Sequence, residues 1–214
     1  MFDHKKYEEI LEYIRKNNKL SKIVAISKNH PKTSVLEAIA AGVRVFGENR
    51  VQEAEIKFAE LLKKYSDISL HLTGPLQTNK VKQALDIFSV FHTLDREKLV
   101  NEFSKYPDML ASKEFFIQVN IGKEETKSGV HPENLNDFYI YCKNKKQLNI
   151  IGLMCIPPIS EDSNFHFDLL KRMGRKIGLN RFSMGMSNDY KEAINLDSTY
   201  IRLGTVLFGQ REKL

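Results

Sequence analysis

The sequence predicts a single (β/α)8 TIM barrel over residues 1–214, with a helix over residues 1–20 before the first strand. Short apolar, β-branched segments alternate with segments of helical apolar spacing, which favours a parallel sheet covered by helices. The 214 residues suit a lean barrel, since such barrels start at about 200 residues. No linker rich in Pro, Gly or Ser divides the chain. An open doubly wound sheet would give the same alternation and is the alternative architecture.

The first half of the chain supplies four strand–helix pairs after the opening helix. That opening helix has Tyr7, Ile10 and Ile14 on one face. In the helix over 34–41, Ser34 is the expected N-cap and Gly42 the stop signal. The other predicted segments are strands over 22–27, 43–47, 68–73 and 88–92, and helices over 51–62, 78–85 and 99–103.

The second half repeats the pattern. Its clearest strand covers 114–120, where Phe, Ile and Val predominate. The remaining strands are predicted over 150–154, 181–183 and 200–203, and the helices over 135–142, 169–177 and 190–196.

Composition and charge favour a cytoplasmic protein without a membrane or nucleic-acid partner. The formal net charge is +6, but the Lys residues are spread along the chain, and the short basic run 143–146 is expected to be a solvated helix end. Cys142 and Cys155 are too few for a disulfide framework, so we expect reduced, buried thiols. The first residues lack the apolar stretch of a signal peptide, and no window is long enough for a membrane span.

Functional residues of such barrels gather at the C-terminal ends of the strands. Lys28 follows the first strand and is placed to point into the barrel mouth, where desolvation would expose a nucleophilic amine. Position alone favours a solvated loop lysine. After the second strand, Glu48 and Asn49 suit a ligand role and helix capping equally well. The polar segment after Gly74 could equally well line a pocket or begin a helix.

The last two strands end in segments suited to a phosphate. Loops after strands seven and eight form the recurrent phosphate site of these barrels, and 183–187 and 204–205 supply Gly, Ser and Thr there. Arg202 lies inside the last strand, where a charge needs a partner or a ligand. Pyridoxal enzymes place an Asp or Arg against the pyridine nitrogen. An Arg cannot readily protonate that nitrogen and would limit carbanion chemistry.

The histidines lack the spacing of metal ligands, so we predict no metal site. Nucleophile-elbow, Walker A and dinucleotide-binding motifs are also missing from the sequence. The six histidines are His4, His30, His71, His92, His131 and His166.

Taken together, these motifs resemble the pyridoxal phosphate homeostasis proteins, which share the barrel of the alanine racemase N-terminal domain. The resemblance extends from about residue 22 to 211. It departs at Asn29, where the family often has Thr, and at Thr73, where Ile is common. The matching segments are 24–28, 46–53, 72–80, 118–120, 126–129, 152–154, 183–187, 202–205 and 208–209.

The resemblance implies a fold-type III protein that binds pyridoxal 5′-phosphate as a Schiff base on Lys28. It implies that Asn49 and Arg202 lie near the cofactor ring. It also implies that four residues surround the phosphate through backbone and hydroxyl contacts: Ser183, Met184, Gly204 and Thr205.

The function expected from this resemblance is the holding and handing over of pyridoxal phosphate in vitamin B6 and amino-acid homeostasis, by a monomer without turnover. Apo pyridoxal phosphate enzymes are the expected recipients. A racemase is the alternative, but racemisation needs two positioned proton-transfer groups. Racemases with this barrel add a C-terminal β-domain, which we expect this chain, ending at Leu214, to lack. A cofactor-free lysine aldolase would use the same phosphate loops, and the net charge alone would suit a nucleic-acid binder.

Overall fold

The computed structural model describes residues 1–210 and shows a closed barrel of eight parallel strands. Each strand pairs with the next in sequence, and the last pairs with the first. This order confirms the barrel and rules out the open doubly wound sheet. The strands are β1 (Lys22–Ile26), β2 (Val45–Glu48), β3 (Ser69–Leu72), β4 (Val90–Leu94), β5 (Glu114–Val119), β6 (Ile150–Cys155), β7 (Arg181–Ser183) and β8 (Tyr200–Leu203).

One helix precedes the first strand, and at least one helix follows every strand around the barrel. Short 3-10 turns introduce the fourth and seventh helices, and a π-helical turn, Tyr141–Lys145, extends the seventh. Within residues 1–210, none of the helices is long and apolar enough to cross a membrane. The α-helices are α1 (His4–Lys16), α2 (Lys32–Ala40), α3 (Val51–Lys64), α4 (Val81–Ile87), α5 (Glu97–Phe103), α6 (Pro107–Leu110), α7 (Leu135–Ile140), α8 (Ser163–Lys176), α9 (Tyr190–Asn195) and α10 (Thr205–Phe208).

Several predicted boundaries were wrong by about two residues. Strands β2 and β4 both begin two residues later than predicted. Helix α2 begins at Lys32, so Ser34 is a buried residue inside the helix and not its N-cap. Pro31 is the cap because its fixed φ, here −69°, suits the extended conformation of that position. Gly42, with φ of +91°, is confirmed as the residue that ends α2.

The barrel has an apolar layer on each side of its wall. Alternate residues of a strand face opposite sides, so one set contacts the helices and the other fills the interior. Outside, Phe91 stacks on Phe115 at 5.2 Å between ring centroids, and Phe103 meets both edge-on. The interior has its own cluster of apolar residues, formed by Val24, Ile26, Val90, Phe116, Met154 and Tyr200.

The N-terminal residues and helix α1 pack against α10, the helix that follows the last strand. The Phe2 ring lies 5.4 Å from the Phe208 ring and 5.7 Å from the Tyr7 ring. The backbone N–H of Asp3 donates to the carbonyl oxygen of Leu207 at 2.7 Å. Because these contacts hold α10, they also fix Thr205, the first residue of that helix.

We expect Gly152→Ala to destabilise the barrel. A Cβ at this position would lie 2.1 Å from the carbonyl oxygen of Arg181 and 2.6 Å from Cε1 of Phe116, so backbone would have to move. The expected loss is about 1–3 kcal/mol of unfolding free energy, measured by urea denaturation. Gly47→Ala is the comparison, because its nearest neighbour is the flexible Cδ1 of Ile26 at 2.4 Å. Equal losses in the two variants would contradict the prediction.

Candidate functional site

A cavity of about 190 Å³ opens at the C-terminal ends of the strands. It brings together five of the seven predicted site residues, and Ser183 and Met184 are the two that do not line it. A larger surface cavity of about 670 Å³ beside α7 contains none of the seven. The smaller cavity is therefore the candidate site. Its lining residues are Ile26, Lys28, Asn49, Thr73, Ile156, Met186, Ser187, Arg202, Gly204 and Thr205.

Lys28 reaches this cavity because of the alternation in β1. Val24 and Ile26 face the barrel interior, and Lys28 follows with the same spacing of two residues. Its side chain is half-buried and lines the cavity. The chain then turns through Asn29, whose φ of +61° lies in the left-handed region that Asn tolerates better than most residues.

A buried ion cluster supports the loop that bears the cavity lysine. Lys57 Nζ donates to the Ser27 carbonyl oxygen at 2.6 Å and lies 2.5 Å from Glu48 Oε1 and 2.9 Å from Glu53 Oε1. The Ser27 hydroxyl donates to Glu48 Oε1 at 2.6 Å. Burial raises the pKa of the Glu48 carboxyl, whereas the Lys57 ammonium opposes that rise. Glu48 therefore belongs to this cluster and does not line the cavity.

Asn49 lines the cavity and does not cap the following helix. The N-cap of α3 is Arg50, and its side chain makes no capping bond. Instead, Asn49 Oδ1 accepts a hydrogen bond from Thr73 Oγ1 at 3.0 Å. Gly74 allows this approach, since a Cβ there would lie 2.6 Å from the carbonyl oxygen of Asn49. With Oδ1 engaged, the Nδ2 end of the amide is left to serve a ligand.

One end of the cavity presents hydrogen-bond donors suited to an anion. The hydroxyls of Ser187 and Thr205 lie 3.0 Å apart and both line the cavity. Thr205 begins α10 with Gly204 as its N-cap, and the first N–H groups of a helix have no partner within the helix. Hydroxyls and backbone N–H groups together are the donors that bind phosphate in proteins.

Ser183 and Met184 are buried in the barrel and do not line the cavity, whereas the family resemblance implies that they surround the phosphate. Met184 is fully buried in the core, and its N–H donates to the Tyr200 carbonyl oxygen at 3.1 Å. The Ser183 hydroxyl is also buried and bonds within the barrel interior. The loop meets the cavity at Met186 and Ser187, which sequence analysis did not select. A signal for Ser187 was present, since it lies in the same Gly- and Ser-containing segment.

Arg202 is a buried cation at the cavity wall, with 5% of its surface exposed. Its Nη1 donates to Ser183 Oγ at 2.7 Å and its Nη2 to the carbonyl oxygen of Cys155 at 2.9 Å. Both acceptors are neutral, and no carboxylate in residues 1–210 lies within ion-pair distance, although the Asp189 carboxylate acts on the guanidinium from farther away. Burial lowers the pKa of the guanidinium, although it stays charged. A ligand that accepts hydrogen bonds would compensate this charge.

Two histidines that sequence analysis did not select continue from Arg202 into the barrel. His92 Nδ1 lies 2.8 Å from Ser183 Oγ, and His92 Nε2 lies 2.9 Å from His71 Nδ1. Burial lowers the pKa of His71 to about 3 and that of His92 well below its usual value, so both rings are neutral. The alternation of Ser69, His71 and Thr73 with apolar residues could have placed His71 in the interior.

Comparison with known proteins gives consistent results across sequence and structure. The family model described as alanine racemase, N-terminal domain matches residues 4–212. The pyridoxal phosphate homeostasis protein of Aquifex aeolicus is 37% identical over 203 residues, which cover 90% of this chain and 88% of the relative. That of Pseudomonas aeruginosa is 39% identical over 198 residues, covering 89% and 84%.

Solved structures of similar proteins share the barrel fold of this chain. PipY of Synechococcus elongatus with pyridoxal phosphate bound has 32% sequence identity and a TM-score of 0.85, covering 96% of this chain and 99% of that one. Alanine racemase of Corynebacterium glutamicum has 14% identity and a TM-score of 0.69, covering 96% and 60%. The racemase likeness shows the fold alone.

The buried histidines predict that stability falls as the pH falls. The native pKa of His71, about 3, lies below its unfolded value of about 6.5, so the unfolded chain binds more protons between these values. The unfolding free energy contributed by neutral burial is complete above pH 6.5 and is lost toward pH 3, by up to about 1.4 kcal/mol per pH unit.

Urea denaturation between about pH 6.5 and pH 5 measures how the unfolding free energy changes with pH. Ordinary carboxylates titrate below this range. His71→Gln should reduce the slope of this change and leave the part that comes from His92, whereas a substitution at the exposed His4, His4→Gln, is the control. A wild-type unfolding free energy that is constant across this range would contradict the assignment of neutral, buried rings.

Proposed function

This chain belongs to the pyridoxal phosphate homeostasis proteins within the alanine racemase N-terminal domain family, and from that membership we propose that it holds pyridoxal 5′-phosphate at the barrel mouth. We further propose a role in vitamin B6 and amino-acid homeostasis. The main observation behind the proposal is the convergence of Lys28, Arg202 and the Ser187–Thr205 hydroxyls on one cavity.

The chemistry of the lining residues fits this cofactor. The Ser187 and Thr205 hydroxyls and the start of α10 suit the phosphate, and Gly204 lets the backbone approach it. The Arg202 guanidinium suits an acceptor on the ring, such as the pyridine nitrogen. The Asn49 amide can donate to a ring substituent.

Lys28 supplies the covalent attachment. Its amine is the group that would form a Schiff base with the cofactor aldehyde, with the aldehyde oxygen released as water. The bound cofactor supplies an electron-withdrawing ring. Arg202 would limit that property, because a guanidinium donates a hydrogen bond to a ring nitrogen without giving up its proton and would leave that nitrogen an acceptor.

The lining residues favour a carrier without turnover. Among the described residues that line the cavity itself, Lys28 and Arg202 are the ionisable ones. Racemisation needs a proton-transfer group on each face of the substrate carbon, and a guanidinium cannot take that role. We propose that the protein is a monomer that passes the cofactor to apo enzymes. Interconversion of D- and L-amino acids by the purified, loaded protein would favour the racemase alternative.

We also propose a cytoplasmic location. Cys142 and Cys155 are both buried and free. Burial raises the pKa of each thiol to about 12, so neither reacts readily as a thiolate. Free, unreactive thiols suit a reducing compartment. Fractionation of cells followed by immunoblotting would test the location.

We expect Lys28→Ala to abolish covalent attachment of pyridoxal phosphate. Wild-type protein mixed with the cofactor and reduced with borohydride should gain one cofactor mass on the peptide that contains Lys28. The variant should gain none and should lose the visible absorbance of the bound cofactor.

Lys32→Ala is the matched control, since Lys32 lies in the next helix, is solvent-exposed and pairs with Glu60. This variant should label like wild type. Labelling of Lys57 in place of Lys28, or equal labelling of the Lys28→Ala protein, would refute the proposed attachment.

We expect Thr205→Val to weaken retention of the cofactor. The variant keeps the shape of the side chain and removes a hydroxyl donor to the phosphate. The binding free energy should fall by about 1–3 kcal/mol, because the lost hydrogen bond is to a charged group. Equilibrium titration with pyridoxal phosphate measures the loss.

Thr199→Val is the control for the loss of a threonine hydroxyl outside the cavity. Thr199 Oγ1 accepts from the N–H of Phe182 at 2.9 Å, so this variant should lose stability and keep its affinity. Equal affinities of the Thr205→Val and wild-type proteins would argue against the phosphate contact.

A further inference from the structure

A continuous chain of hydrogen bonds crosses the barrel interior from the cavity to the opposite side. We call it the interior chain. Its groups are buried or half-buried, and successive members lie within 3.2 Å of one another. In order, its members are Arg202, Ser183, His92, His71, Ser69, Ser89 and the carbonyl oxygen of Leu70.

The cavity end of the interior chain fixes the direction of its hydrogen bonds. A guanidinium has no acceptor, so Ser183 Oγ accepts from Arg202 Nη1 at 2.7 Å. The Ser183 hydroxyl proton is then donated to His92 Nδ1 at 2.8 Å, its other partner among residues 1–210, because a buried proton without an acceptor would cost free energy. A neutral imidazole has one donor and one acceptor, so His92 Nε2 holds its proton and donates to His71 Nδ1 at 2.9 Å.

The opposite end of the interior chain, at the Leu70 carbonyl oxygen, independently gives the same direction of hydrogen bonding. The carbonyl oxygen of Leu70 can only accept, and Ser89 Oγ donates to it at 3.2 Å. Ser89 therefore accepts from Ser69 Oγ at 2.9 Å, and Ser69 accepts from His71 Nε2 at 3.0 Å. Because His71 is neutral, its Nδ1 is an acceptor. The two ends thus predict the same tautomer of His71.

Reversal of this direction is unfavourable. It would leave the Ser183 proton without an acceptor, because a guanidinium has none, and would remove the Ser89 donor from the Leu70 carbonyl oxygen. A relay of protons along hydrogen bonds reverses each bond that it uses. The interior chain is therefore poorly suited to deliver a proton to the cavity, and its members are suited to hold Arg202 in place.

We propose that Ser183 and His92 are positioning residues that fix the Arg202 guanidinium against the cofactor ring and keep the ring nitrogen an acceptor. This inference rests on the proposed function and deepens it. Barrel interiors of this kind are usually filled by branched apolar side chains. Here, polar groups occupy the same positions and satisfy one another, and the first of them contacts the residue at the cavity wall.

The packing around His92 supports the fixed geometry. Its ring stacks on Phe116 with centroids 4.9 Å apart and lies 5.7 Å from the Tyr200 ring. Tyr200 also meets His71 edge-on at 5.0 Å. These contacts hold both imidazoles in place without adding a competing donor or acceptor to His92 Nδ1 or Nε2.

The first test uses the protein without cofactor. Nitrogen-15 NMR of the imidazole rings should show His71 and His92 as neutral rings with the proton on Nε2. A proton on Nδ1 of either ring, or a charged ring near neutral pH, would overturn the direction of the interior chain. This measurement is independent of pyridoxal phosphate binding.

The second test breaks the interior chain and measures the bound cofactor. Ser183→Ala and His92→Phe should each weaken binding of pyridoxal phosphate about tenfold, the scale of one hydrogen bond to a charged group. Both should also displace the absorption maximum of the bound cofactor, because the contact to the ring nitrogen changes. Ser183→Thr keeps the hydroxyl and should restore both properties.

Ser198→Ala is the matched control. Ser198 is as buried as Ser183, but its hydroxyl bonds to the backbone carbonyls of Met184 and Tyr200, outside the interior chain. Its affinity and spectrum should match those of wild type, even if its stability falls. Wild-type affinity and spectrum in both Ser183→Ala and His92→Phe would overturn the positioning role. Failure of the wild-type protein to bind at Lys28 would refute the proposed function, whereas the NMR result would still stand.

Discussion

A buried guanidinium that forms no ion pair with a carboxylate of residues 1–210 is the constraint on which the site depends. Removing a charge from water costs several kcal/mol after relaxation, so Arg202 needs well-placed acceptors. Cys155 and Ser183 supply two of them from β6 and β7, and the side of Arg202 that lines the cavity is left for a ligand. The buried charge of Arg202 therefore links the hydrogen bonds of the barrel interior to ligand binding at the barrel mouth.

Strand alternation delivers the groups that meet this constraint. On β1, spacing by two places Lys28 beyond Val24 and Ile26, and on β8 it places Arg202 beyond Tyr200. Parallel closure then brings the ends of the first and last strands side by side, with Val24 opposite Arg202 in the register. Residues that are far apart in sequence thus share one cavity without any long loop to position them.

Much of this could be predicted from the sequence, because it follows from local periodicity. The bounds of β7 and β8 were predicted correctly, and Arg202 was noted as a charge inside the last strand. Position alone favoured a solvated loop lysine at Lys28, and its cofactor role was implied by the family resemblance. The path of the loop after β7 could not be predicted. It depends on tertiary contacts, such as the Asp189 carboxylate that accepts from the N–H of Met186 at 2.6 Å, and these bring Ser187 to the cavity.

The histidine pair was missed for a different reason. The sequence spacing of the histidines bears only on metal ligation, whereas His71 and His92 lie on different strands and bond to each other. Their role follows from the two groups at the ends of the interior chain, which only the fold brings into line. The proposed carrier role requires a cofactor to be bound without activation. Arg202, a donor that keeps its proton, is held by Ser183, which His92 supports in turn, and this geometry suits that role.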